Sequence, residues 1–99
     1  MILPGTPKQV IELGCAWISP EGDIYPCRGF EHVNLSVKLE KQVGYPAQSF
    51  EERGWVRLIH GGVWPIDPNA VPQRALGAVV EIVKAGPRPD LEAWLARLT

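Results

Sequence analysis

Ser19-Pro20-Glu21-Gly22 constrains this chain more than any other stretch, because it sets a hairpin register residue by residue. Proline pre-sets φ at the second turn position, and Gly22 supplies the left-handed conformation that closes a three-residue loop. Ser19 then faces Asp23, and counting outward opposes Ile18 to Ile24, Trp17 to Tyr25, Ala16 to Pro26 and Cys15 to Cys27. Side chains alternate along a strand, so Trp17, Tyr25 and both cysteines share one face. The first flanking pair is hydrogen-bonded and the others alternate from it, which leaves Pro26 where no ladder bond within the hairpin is lost. The same count puts Cys15 and Cys27 at a hydrogen-bonded site, with Cα atoms expected about 5.5 Å apart. That is within disulfide reach, but the Cβ atoms diverge there, so two reduced, buried thiols are expected.

Around this hairpin the punctuation is dense. Pro4, Gly5 and Pro7 make residues 1–8 read as an extended arm, and residues 9–13 alternate into the first strand, with Gly14 as a bulge. The run 30–43 supports two readings. Val33, Leu35, Val37 and Leu39 alternate like a half-buried strand, to which periodicity leans, whereas His32, Leu35, Ser36, Leu39 and Val43 lie on one helix face. Residues 46–53 suit two helical turns that Gly54 stops. Residues 55–60, Gly61-Gly62 and residues 63–66 form a second hairpin, whose return strand Pro65 confines to an edge. Pro72 opens a helix with an apolar stripe of Leu76, Val79, Val80 and Val83, closed by Gly86. After Pro87 and Pro89, Asp90 caps a short stripe of Leu91, Trp94, Leu95 and Leu98 that is too short to stand alone and must dock.

At 99 residues the chain forms one domain, and 45% hydrophobic with 21% charged residues argues against disorder. Ten basic and eleven acidic residues are spread without a basic run, which argues against nucleic acid as the first partner. Met1-Ile2-Leu3-Pro4 lacks a positive flank and is broken by proline, so neither a signal peptide nor a membrane span is expected. The cytoplasm is the expected compartment, where two cysteines stay reduced. Ten prolines and ten glycines give short, stiff connections, a composition that a thermophilic source would also produce.

The order of motifs carries a resemblance. W-I-S-P-x-G-x-x-Y-x-C over residues 17–27, H-x-x-L-S-x-x-L over 32–39, R-G-W-V-R-L over 53–58 and P-Q-x-x-L over 72–76 resemble a set of small phage-encoded and prophage-encoded proteins of unknown function. The resemblance covers roughly residues 14–85. It implies that the histidine segment is a helix with a small residue after the leucine, a slot that Ser36 fits. It carries over no catalytic residue, and residues 87–99 lie outside it.

Four side chains are soft metal ligands: Cys15, Cys27, His32 and His60. Four is the number a structural zinc needs, but no C-x-x-C knuckle is present, so the balance falls on buried thiols and solvated or capping histidines. A zinc site would close only if His32 started its helix facing back over the hairpin. Cys27 with His32 as nucleophile and base needs an exposed thiol of lowered pKa, whereas the register sets Cys27 beside Cys15 against the core. Gly61-Gly62 lacks the helix start and the Lys-Ser or Lys-Thr of a phosphate loop, and Glu51-Glu52 reads as a solvated face. Among four tryptophans, Trp17, Trp55 and Trp94 sit in patterned elements. Trp64, on the proline-containing edge, either anchors a protein partner or covers the sheet edge.

These readings converge on an α+β domain: an antiparallel sheet from two hairpins, about 10–18/24–28 and 55–60/63–66. Helices near 31–43, 46–53, 70–85 and 90–98 pack on one face. The expected function is a small non-enzymatic, phage-derived binding protein without a cofactor that docks on a host or viral protein and modulates it. Trp64, Tyr45, Arg57 and His60 would be its contact residues. The competing readings are a binder of nucleic acid through Arg53, Arg57 and the aromatic edge, a zinc- or thiol-dependent site at Cys15, Cys27, His32 and His60, and a structural virion component.

Overall fold

Successive side chains of β1 (Gly14–Ile18) point to opposite faces, yet Cys15, Ala16, Trp17 and Ile18 are all buried. A strand with no polar face needs cover on both sides, and that requirement sets the architecture. In the computed structural model, which describes residues 1–59, 69, 71–84 and 96, β1 is the central strand of a three-stranded antiparallel sheet of order β2-β1-β3. β2 is Ile24–Arg28 and β3 is Val56–Ile59. The hairpin register is the expected one, with Ile18 opposite Ile24, Trp17 opposite Tyr25, Ala16 opposite Pro26 and Cys15 opposite Cys27. Its loop closes through the Gly22 N–H donating to the Ser19 carbonyl at 2.9 Å, with Gly22 at φ 93°. The Ser19 hydroxyl also accepts from the Asp23 N–H at 3.0 Å.

On one face Ala16, Ile18, Ile24, Val56 and Leu58 meet Val10 of α1 (Pro7–Leu13) and Ala75, Val79, Ile82 and Val83 of α3 (Gln73–Lys84). On the other, Cys15, Trp17, Tyr25 and Cys27 meet Leu35 and Leu39 of α2 (His32–Val43), together with Phe50 and Trp55. Helices therefore cover both faces of the sheet and not one as expected. Among the described residues no helix is long and apolar enough to cross a membrane.

One local reading is corrected, one is refined and one open run is settled. Residues 7–13 form helix α1, not the end of an extended arm running into a strand. Thr6 and Gln9 form a reciprocal capping box, Pro7 occupies the first turn, and Gly14 at φ 89° ends the helix where a bulge was expected. These signals bracket a helix more firmly than five alternating residues specify a strand. Residues 46–53 form the two expected helical turns, wound as 3-10, at Ala47–Ser49 and Glu51–Arg53. The tighter winding seats Phe50, with no exposed surface, stacked on Trp55 at 4.4 Å and edge-on to Trp17 at 5.2 Å. The run that supported two readings is helix α2. It buries His32, Leu35 and Leu39 and leaves Val33 72% and Val37 44% exposed, a division that a strand, with all four apolar side chains on one side, cannot make. The Gly61-Gly62 turn, the return strand 63–66 and the helix 90–98 lie outside the described residues.

Two glycines separate backbone need from open space. Gly22 sits at φ 93°, and a Cβ there would lie 3.0 Å from the Arg74 carbonyl oxygen. Gly22→Ala is expected to cost about 1–3 kcal/mol. Gly77 lies exposed within α3, where a Cβ meets nothing within 4 Å. Gly77→Ala is expected to stabilise by about 0.8–1 kcal/mol, raising the melting temperature by about 4–8 °C in a thermal scan.

Candidate metal centre

Two sulfurs come from one rung of the hairpin. The Ser19 N–H donates to the Asp23 carbonyl at 2.8 Å, so alternation makes Cys15 and Cys27 a hydrogen-bonded pair. Cβ atoms at such rungs stand at the wide end of about 4.5–5.5 Å, beyond the ~3.8 Å typical of a disulfide. Both cysteines are free thiols, and both are buried.

The third donor arrives through a tight return. After β2 the chain makes a 3-10 turn, Gly29–Glu31, and enters α2 at His32, whose imidazole comes back over the hairpin. Its Nδ1 lies 3.2 Å from Cys15 Sγ and 3.8 Å from Cys27 Sγ. The three donor atoms fall within 4.8 Å of one another. A tetrahedral ion with metal–sulfur bonds of about 2.3 Å and a metal–nitrogen bond of about 2.0–2.1 Å needs sulfur–sulfur and sulfur–nitrogen separations of roughly 3.8 and 3.5 Å. The observed 3.2 and 3.8 Å bracket the sulfur–nitrogen separation, so these residues fit a thiophilic ion.

Aromatic packing holds the ring. Trp17 stacks on His32 with centroids 5.4 Å apart at 27°, and the Trp17 indole N–H donates to Ser36 Oγ at 2.9 Å. Ser36 in turn donates to the His32 carbonyl at 2.9 Å, tying the first turn of α2 to the sheet. Nε2 of His32 is buried with no hydrogen-bond partner among the described residues. Among those residues the polar contacts of the ring are those of Nδ1 with the two thiols.

The surroundings keep the free side chains neutral. Burial, then the neighbouring Cys15 and then the Glu31 charge push the Cys27 thiol up to about 12. Burial, then the Arg57 charge, lower the His32 imidazole below its ordinary value, which keeps it in the neutral form that binds metals. Trp17 pairs with Arg57 across β1 and β3, so Arg57 stands on the same sheet face as the centre. It lines a groove of about 370 Å³ with His32, Glu40 and Glu51.

The structure gathers Cys15, Cys27 and His32 of the four candidate ligands, on which the sequence reading had not placed a metal. His60 and Trp64 lie outside the described residues. Arg57 is exposed, as a contact residue must be. Tyr45 is occupied within the fold: its hydroxyl accepts from the Trp55 indole at 2.9 Å and its ring carries the Arg53 guanidinium at 4.1 Å. Arg53, expected at a nucleic-acid surface, also donates from Nε to Ser49 Oγ at 3.1 Å. Sequence reasoning found the slot for Ser36 but not its bridge to Trp17. It also missed Glu31, whose signal is its place between Cys27 and His32, and the exposed run of Phe30, Val33 and Val37. Comparison of the chain with protein families, with curated proteins and with solved structures finds no match.

Proposed function

We propose that this chain is a small non-enzymatic binding protein, of the phage or prophage kind its motifs resemble, organised around a zinc-type centre at Cys15, Cys27 and His32. The observation that carries this reading is the convergence of two buried thiols and one buried imidazole nitrogen within 4.8 Å, drawn from two strands and a helix. The missing C-x-x-C knuckle counted against zinc in the sequence, but the hairpin rung does the same work by bringing two sulfurs to one point. A structural role suits the ligands. The free Cys27 thiol and His32 imidazole are neutral, where a nucleophile–base pair would need a thiolate. Reduced thiols imply the cytoplasm.

A protein partner is part of the proposal. Phe30, Val33 and Val37 are 80%, 72% and 44% exposed and recur at near-helical spacing, the pattern of an apolar stripe that a partner would cover. Arg57 keeps its proposed contact role, with Trp64 and His60 as members assigned from sequence.

The test is a competition titration of the reduced, untagged chain with zinc and a chromophoric chelator. One ion per chain is expected, with affinity rising about 100-fold per pH unit through the neutral range because two thiol protons leave on binding. Cys27→Ser retaining wild-type affinity would overturn the reading.

A further inference from the structure

Resting on the centre proposed above, we propose that Glu31 supplies its fourth ligand, closing it from the cavity beside Cys27. Three protein donors leave one tetrahedral position open, and a carboxylate oxygen fills such a position on zinc at about 2.0–2.2 Å. Glu31 and Cys27 line the same cavity of about 200 Å³, together with Leu35 and Lys38. Cys15 is only 1% exposed and Trp17 stacks on the imidazole, whereas Cys27 is 6% exposed and lines this cavity.

Glu31 is also uncommitted. It occupies the N-cap position of α2, where Ser, Thr, Asp or Asn is preferred, and its side chain makes no capping bond. No hydrogen bond or ion pair engages its carboxylate among the described residues. An acid at a helix start gains from the helix dipole wherever it points. That general benefit does not account for its lining the same cavity as the buried Cys27. A divalent cation held between a thiolate and a carboxylate is attracted to both. Two thiolates and a carboxylate leave the loaded centre with one net negative charge. Lys38 in the same cavity and Arg57 beside His32 are placed to balance it.

Cobalt(II) is the probe, added to the reduced full chain and followed by absorption. The wild type is expected to show sulfur-to-cobalt charge transfer and strong four-coordinate ligand-field bands that added azide leaves unchanged. Glu31→Ala should keep the charge transfer, become sensitive to azide and bind cobalt and zinc at least about tenfold more weakly. Azide sensitivity in the wild type with an unaltered Glu31→Ala spectrum would overturn the assignment, giving that position to solvent. Azide sensitivity gained by His60→Ala instead would overturn it in favour of that histidine. Absence of charge transfer in the wild type would overturn the centre itself.

Discussion

Zinc added to the reduced protein at about a thousand times its dissociation constant is expected to raise the melting temperature by about 15–30 °C. An ion that binds only the folded chain contributes about 4 kcal/mol at that excess, and each kcal/mol shifts a domain of this size by about 4–8 °C. The pH dependence should change with it. Without an ion, the folded protein holds the Cys27 proton more tightly than the unfolded chain, whose thiol titrates near 9.0. Stability from this group is complete below 9.0 and is lost as pH rises from there towards about 12. His32 acts at the other limb. Its lowered folded value means that the unfolded chain takes up protons first, so stability is lost as pH falls below 6.5. With zinc bound, the thiols are already thiolates, and stability should rise with pH through the neutral range as protons are released. Thermal scans from pH 5.5 to 10, with zinc or with chelator, read both effects. A zinc-induced shift retained in Cys27→Ser would place the ion elsewhere.

Trp17→Ala is expected to be the most damaging single substitution, costing about 3–5 kcal/mol, a large share of the stability of a small domain. Trp17 is 4% exposed and packs at once on His32, Phe50 and Trp55. Its removal also frees the imidazole, so zinc affinity in the surviving folded fraction should fall at least about tenfold. Trp17→Phe separates the contributions: it keeps an aromatic plane over His32 and loses the indole bond to Ser36, a loss of about 1 kcal/mol. Denaturant melts of both variants with chelator, followed by zinc titration, make the comparison. Equal stabilities for Trp17→Ala and Trp17→Phe would refute the assigned role of the ring.

Legibility in the sequence followed how local each determinant was. The β1–β2 register was readable because Pro20 and Gly22 restrict φ at adjacent positions, and alternation then carries the register outward. Gly54 ended its element as the expected left-handed stop, again a property of a single residue. Helix α1 was equally local in Thr6, Pro7, Gln9 and Gly14, and was lost by giving weight to alternation over five residues. Cover on both sheet faces was implicit in Cys15-Ala16-Trp17-Ile18, which offers no polar side to solvent.

The remainder had no local determinant. For residues 32–43 both periodicities are present in the sequence, and the outcome turned on which apolar side chains found a partner: Leu35 and Leu39 against the aromatic face, Val33 and Val37 left outside. The 3-10 winding of 47–53 follows from the space that Trp17, Tyr45 and Trp55 leave for Phe50. The sequence by itself determined that Cys15 and Cys27 are opposed, since a hairpin needs only its turn. Whether His32 meets them was decided by tertiary structure alone, because the return through Gly29–Glu31 takes its direction from the docking of α2 onto the sheet, a contact between elements that no turn residue encodes.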